Sequence, residues 1–159
     1  MPNQFEIVSY SPEQTQQIGF AIGELAQPNN LILLAGNLGA GKTCLTQGIA
    51  RGAGFEGYAS SPSFVLVKEY QGRLALYHID LYRLDDVEEI DELGLEDYLN
   101  GEGFCVIEWA DKALESLSPE HLLIIFEYLS ENERRLRFEP IGKRYVDLLS
   151  ELKIKWNLQ

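Results

Sequence analysis

Leu31-Ile32-Leu33-Leu34-Ala35-Gly36-Asn37-Leu38-Gly39-Ala40-Gly41-Lys42-Thr43 is the stretch on which the fold turns. Its first five residues are a continuous apolar run, the pattern of a strand buried on both faces in a sheet covered by helices. Its last eight satisfy G-x-x-x-x-G-K-[ST] at every fixed position. The glycines let consecutive backbone N–H groups turn inward around phosphate oxygens without obstruction by a Cβ. A helix is expected over 42–51, closed by Gly52 and Gly54, and its positive end aims at the same anion. Lys42 is suited to reach the β and γ phosphates, and the Thr43 hydroxyl is a hard oxygen ligand for magnesium. Gly36, Asn37, Leu38, Gly39, Ala40, Gly41, Lys42 and Thr43 are therefore the candidate phosphate-binding residues. A strand before the loop and a helix after it separate this motif from a chance glycine-rich turn. The stretch predicts a protein that binds a nucleoside triphosphate with magnesium.

The flanking sequence supplies the rest of an α/β domain. Phe5, Ile7 and Ser9 alternate with Glu6, Val8 and Tyr10, a weak edge-strand pattern. Ser11 can cap a helix, Pro12 suits its first turn, and Gln14 completes a capping box. Ile18, Ala21, Ile22 and Leu25 give that helix one apolar face, and Pro28-Asn29-Asn30 ends it. Residues 64–70 and 73–80 read as paired strands joined at Gln71-Gly72. An acidic helical region is expected over 85–99. Buried strands are expected at 104–108 and 122–128, with 134–139 pairing to the latter across Ser130-Glu131-Asn132. A helix over 142–152 closes the chain. The alternation predicts a three-layer α/β fold, a mixed and largely parallel sheet flanked by helices, as a single domain over 1–159.

Composition narrows the functions. The 159 residues carry 25 acids against 13 bases, a formal charge of −12. That balance argues against a surface that itself grips nucleic acid, since such binding relies on basic side chains displacing counterions from phosphates. It equally disfavours docking on anionic membranes. With 45% hydrophobic and 24% charged residues the chain is globular. Cys44 and Cys105 are too few for a disulfide framework and read as reduced core thiols. Residues 1–10 lack the basic and apolar regions of a signal peptide, and no apolar run approaches the roughly 20 residues of a membrane helix. A soluble, cytoplasmic protein is the expectation. Eight of the acids, between Asp85 and Asp97, stand in a block without a base, which accounts for two thirds of the net charge. The block reads either as a solvated helix face or as a docking surface for a basic partner.

A nucleotide hydrolase also needs an acid at a strand end to hold magnesium or a water. Two strands run into one: Leu74-Ala75-Leu76-Tyr77-His78-Ile79 ends at Asp80, and Phe104-Cys105-Val106-Ile107 ends at Glu108. Those are the positions where open α/β sheets bind ligands. Ser60-Ser61-Pro62-Ser63 lies where phosphate-loop proteins carry a switch segment, with plain turn chemistry explaining it equally well. His78 shares a strand face with Asp80 and either orients that acid or is a buried, hydrogen-bonded histidine. No Asn/Thr-Lys-x-Asp string is present to read guanine, and Asp91-Glu92-Leu93-Gly94 fits D-x-x-G only inside the acidic stretch. A small-molecule kinase is the serious competitor, but it needs a mobile arginine-rich lid. Arg134, Arg135 and Arg137, the richest basic cluster, alternate as a strand does. A nucleotide-binding module that does not hydrolyse is the remaining alternative.

The strings Gly36 to Thr43, Ser61-Pro62-Ser63-Phe64, His78-Ile79-Asp80-Leu81-Tyr82-Arg83, Glu92-Leu93-Gly94-Leu95-Glu96 and Ile107-Glu108-Trp109 occur in that order. Together they resemble the TsaE (formerly YjeE) family, bacterial ATPases needed to make threonylcarbamoyladenosine in tRNA. The resemblance spans nearly the whole chain. It implies a P-loop ATPase fold with ATP and Mg2+ as cofactors, Thr43 and Glu108 serving the metal and Asp80 assisting hydrolysis. It also implies that Ser63 belongs to the switch, that Trp109 lies beside the site, and that Arg134 approaches the nucleotide. Ser11 or its neighbours would line the adenine pocket. The implied partner is a TsaB–TsaD complex, with tRNA reached only through it. Two residues depart from the family's pattern: Asn37 stands where aspartate is frequent, and Ser63 where threonine is. The first removes a charge beside the phosphates; the second loses a stiffening β-branch.

Overall fold

The computed structural model describes residues 5–36, 41–57, 67–80, 101–108 and 120–157. Among them are β1 (Phe5–Ser9), α1 (Pro12–Leu25), β2 (Leu31–Ala35), α2 (Lys42–Gly52), β3 (Val67–Tyr70), β4 (Leu76–Asp80), β5 (Phe104–Glu108), β6 (His121–Tyr128), β7 (Arg134–Ile141) and α3 (Lys143–Asn157). The acidic stretch expected as a helix over 85–99, the serine-proline segment with Ser63, and Trp109 lie outside the described residues. No helix among the described residues is long and apolar enough to cross a membrane.

The strands form one sheet in the order β1-β7-β6-β2-β5-β4-β3. The pairings β6–β2, β2–β5 and β5–β4 are parallel. The outer pairings, β1–β7, β7–β6 and β4–β3, are antiparallel. The mixed α/β sheet expected from the alternation is therefore parallel through its centre and antiparallel toward both edges. Burial follows the same division. Leu31 to Leu34 of β2 and all of β5 are buried, as strands covered on both faces must be. In β7 the buried Leu136 and Phe138 alternate with half-buried Arg135 and Arg137.

One face of the sheet carries all three described helices. Ile18 and Ile22 of α1, Leu45 and Ile49 of α2, and Leu149 and Leu152 of α3 form a continuous core with Ile32, Leu34, Val106, Leu122, Ile124, Leu136 and Phe138. Leu33, Ile107 and Ile79 alternate with these strand residues, point the other way, and are also fully buried. Ser11 caps α1 as expected: its backbone is extended, and its hydroxyl accepts from the Gln14 N–H at 3.1 Å. Gln14 reaches back to the Tyr10 N–H at 2.8 Å, one residue earlier than a capping box would place it.

The contact between α1 and α2 is made backbone to backbone. A Cβ on Gly48 would lie 2.1 Å from the Gln16 carbonyl oxygen, and one on Gly52 2.1 Å from that of Phe20. From the other side, a Cβ on Gly19 would lie 2.3 Å from the Leu45 carbonyl oxygen. Gln16 and Gln47 join across the same contact at 2.8 Å. Since α2 starts at the phosphate loop and α1 at Ser11, this seam fixes the two helix N-termini relative to each other.

The β3–β4 connection differs from its expectation. Tyr70 pairs with Leu76, so residues 71–75 form the connection in place of Gln71-Gly72 alone. Arg73 is the cause. Its backbone N–H donates to the Ala53 carbonyl at 2.6 Å, and its guanidinium donates to the carbonyls of Gly23 at 2.9 Å and Ala26 at 3.2 Å. Capping the C-terminus of α1 draws this residue out of the strand. The closing helix also runs five residues further than expected, to Asn157, after a turn at Gly142 with φ of 105°.

Candidate functional site

The parallel strands deliver their C-terminal ends to one edge of the sheet. Asp80 pairs with Glu108, and Glu108 pairs with Leu34, one residue before β2 runs out at Ala35. Gly36 follows directly, so both acids end their strands at the height where the phosphate loop begins. His78, Asp80 and Glu108 share strand parity with Leu76 and Val106, which pack against the helices. All three side chains therefore emerge on the face that carries α2.

Two glycines frame the loop. Gly36 has φ of 138° and Gly41 φ of 104°, a conformation L side chains rarely adopt. Residues 37–40 between them lie outside the described residues, so Asn37, Leu38, Gly39 and Ala40 are placed by sequence only. Gly41 is the N-cap of α2 and offers no side chain to its first-turn N–H groups. Those donors and the helix dipole are what a phosphate binds. Lys42 is only 4% exposed, and its Nζ donates to the Gly36 carbonyl oxygen at 2.9 Å. The ammonium thus lies back across the loop. Thr43, next in the first turn, is half-buried.

Glu108 is buried, and its Oε2 meets His78 Nε2 in a hydrogen bond. The sequence offered Asp80 as the acid His78 might orient; the partner is Glu108, on the neighbouring strand. Nδ1 of the same ring is buried, without a hydrogen-bond partner among the described residues. Asp80 is half-buried.

Arg134 stands at the rim. A Cβ on Gly41 would lie 3.9 Å from Arg134 Cγ, with the Phe126 ring equally near. The guanidinium stacks on Tyr128, 4.6 Å from the ring centroid, and donates to the carbonyls of Ser130 at 2.5 Å and Glu133 at 2.9 Å. Ser9 pairs with Arg134, which brings the start of α1, with Ser11, to the same end of the sheet. The thiol of Cys44, one residue after Thr43, reports this convergence. Burial raises its pKa, Arg134 lowers it and Glu13 raises it. Ser11 spends its hydroxyl on capping α1. Of the expected site residues, Gly36, Gly41, Lys42, Thr43, Asp80, Glu108 and Arg134 gather at one end of the sheet, while Ser63 lies outside the described residues.

Magnesium fits the residues present. Among the described residues no three His, Cys, Asp or Glu side chains assemble into a metal cage. Magnesium needs none beside a nucleotide: it takes phosphate oxygens and waters plus one or two protein oxygens. Thr43 at the start of α2 and Glu108 at the end of β5 carry oxygens of that kind. A separate cleft of about 500 Å3, lined by Ala26, Asn30, Arg73, Arg144 and Leu148 among others, lies at the opposite end of β2.

No local pattern in the sequence marks the His78–Glu108 bond, the position of Cys44 or the Arg73 clamp. Each depends on which strands or helices are neighbours. Of the two readings of His78, the buried, hydrogen-bonded histidine holds, with Glu108 and not Asp80 as the acid it meets.

Comparison with known proteins agrees with this geometry. The family model for "Threonylcarbamoyl adenosine biosynthesis protein TsaE" matches residues 9–136. A Bacillus subtilis (strain 168) protein named tRNA threonylcarbamoyladenosine biosynthesis protein TsaE is 41% identical over 143 residues, covering 89% of each chain. A protein of the same name from Treponema pallidum is 36% identical over 129 residues, covering 81% of this chain and 96% of its own. The crystal structure of Bacillus subtilis YdiB superposes with a TM-score of 0.85 at 36% identity, covering 97% of each chain. The fold, the ordered motifs and these matches together place the chain in the TsaE family of threonylcarbamoyladenosine biosynthesis proteins.

Proposed function

We propose that the chain is an ATPase that binds Mg-ATP at the loop 36–43 and hydrolyses it slowly, in support of threonylcarbamoylation of tRNA in the cytoplasm. The observation that carries this reading is the register of Asp80 and Glu108 beside Gly36, two carboxylates at the mouth of a phosphate loop. Lys42 gives up the Gly36 carbonyl and takes the β and γ phosphate oxygens. The α2 N–H groups, uncapped by any side chain, close around the phosphates. Thr43 and Glu108 would hold a magnesium ion, whose chemistry would be to offset negative charge on the phosphates. Asp80 orients the attacking water, and Arg134, at the rim beside Gly41, adds positive charge. Ser63 serves as the γ-phosphate switch, and Ser11 with its neighbours borders the adenine.

The partner is a TsaB–TsaD-type complex, and tRNA is reached through it. The net charge of −12 supports that order, because a chain this acidic is repelled by free tRNA. The competing kinase reading loses its lid: Arg134, Arg135 and Arg137 lie within β7, fixed in the sheet between β1 and β6. Phosphate release with purified TsaB–TsaD and tRNA, against the chain alone, tests the proposal. Stimulated release supports it. Phosphate transferred to a small acceptor, or no turnover in any combination, overturns it.

A further inference from the structure

His78 and Glu108 sit diagonally on neighbouring parallel strands, His78 opposite Val106 and Asp80 opposite Glu108. Both face α2, and the His78 side chain is 1% exposed. A carboxylate taken out of water needs a donor, and among the described residues His78 Nε2 is the one that meets it. With its proton on Nε2, the neutral ring carries a lone pair on Nδ1. That nitrogen is buried and meets no hydrogen-bond partner among the described residues. A buried acceptor left unpaired destabilises a fold, and an unsatisfied group of this kind calls for an explanation. Among the described residues the imidazole at position 78 makes one polar contact, the bond to Glu108 Oε2.

We propose that His78 is the positioning residue of the metal site: its Nε2–H fixes the Glu108 carboxylate by Oε2 and leaves Oε1 directed to the cation. The inference rests on the Mg-ATP reading above. It adds a residue whose role is exerted through Glu108, without contact to nucleotide or metal. Hydrogen-bonded outer partners of this kind hold a ligating carboxylate in one orientation, and their loss commonly weakens metal binding 10- to 100-fold. The unpaired Nδ1 is then what the arrangement costs, because the geometry that aims Nε2 at Glu108 leaves the other nitrogen without a partner among the described residues.

The test separates the two ring nitrogens. Glutamine places its amide nitrogen near the position of Nε2, whereas asparagine reaches only about as far as Nδ1. Binding of a non-hydrolysable ATP analogue is measured by calorimetry in EDTA and across a Mg2+ titration, for wild type, His78→Gln, His78→Asn and His78→Met. Methionine fills the ring's volume without a donor and stands in if the asparagine variant fails to fold. His78→Asn and His78→Met should bind the analogue in EDTA as wild type does, and need about tenfold more Mg2+ for the same gain in affinity. His78→Gln should return to within about threefold of wild type. Wild-type Mg2+ dependence in the asparagine and methionine variants overturns the proposal, as does a glutamine variant no better than they are at equal melting temperature. A wild type whose affinity ignores Mg2+ overturns instead the magnesium reading on which the proposal rests.

Discussion

Asp80 and Glu108 are register partners, each the last residue of its strand, in the parallel pair β4–β5. Their separation in sequence is set by a crossover, but their relation in space is set by one backbone ladder, which also ties Glu108 to Leu34. The phosphate loop and both acids are thus held by rigid strands, the arrangement that preorganises charge for phosphoryl chemistry. Asp80→Ala and Glu108→Ala should each cut phosphate release about 100-fold or more in the partner-stimulated assay. They should differ in binding: Asp80→Ala keeps the gain in ATP affinity from Mg2+, and Glu108→Ala loses it. Full turnover in either variant would remove that acid from the mechanism.

Lys42 is buried against the loop it serves, its ammonium on the Gly36 carbonyl. On the proposed reading, charge-assisted bonds to two phosphates would replace that contact and add to nucleotide affinity. Lys42→Ala should weaken ATP binding about 10- to 100-fold by calorimetry, with the far-UV circular dichroism of wild type. Unchanged affinity would refute the loop assignment.

The legible parts of this chain were those written in short-range patterns. The run 31–35 reads as β2 and the end of the motif as the start of α2, and the apolar runs before Asp80 and Glu108 read as the strands those acids end. Ser11 capped α1 as its sequence says. What escaped was pairing. His78 is two residues from Asp80 along the strand, yet it bonds to Glu108 because β4 lies beside β5, an order no local pattern encodes. Arg73 looked like a strand residue until α1 supplied it with carbonyls to cap. The seam between α1 and α2 is made by Gly19, Gly48 and Gly52, which have no side chain to mark a helix face.

That seam makes a stability prediction. A methyl group on Gly48 would meet the Gln16 carbonyl oxygen at 2.1 Å, and backbone cannot rotate away as a side chain can. Gly48→Ala gains helix propensity but forces α1 from α2, a net cost of about 1–3 kcal/mol. The melting temperature should fall by several degrees in a thermal scan. Ser150→Ala, at an exposed site on α3, is the control and should melt with wild type. A Gly48→Ala protein as stable as wild type would mean that the helices are not in backbone contact.

The acidic block between Asp85 and Asp97 lies outside the described residues, so its prediction rests on charge alone. Eight acids without a base attract a basic partner surface over a distance of about 8–10 Å at moderate salt. Replacing Glu88, Glu89 and Glu92 together by glutamine should slow partner-stimulated hydrolysis and leave ATP binding by the chain alone unchanged. Identical stimulation at low and high salt would return the block to a solvated surface.

The two thiols offer a footprint of the nucleotide. Burial pushes Cys105 up to about 12, so it remains protonated and inert in the folded protein. Its raised value also means that the stability it contributes is complete below pH 9.0 and is lost as pH climbs toward about 12. Cys44 is half-buried; burial raises its pKa, opposed by Arg134 and reinforced by Glu13. Iodoacetamide should therefore label Cys44 first, slowly at neutral pH and faster as pH rises, with Cys105 labelled only on unfolding. Cys44 follows Thr43 in the first turn of α2, so a nucleotide seated on that turn covers it. A non-hydrolysable ATP analogue with Mg2+ should slow labelling of Cys44 severalfold, read by peptide mass spectrometry. Equal labelling with and without saturating nucleotide would place the ligand somewhere other than this helix end.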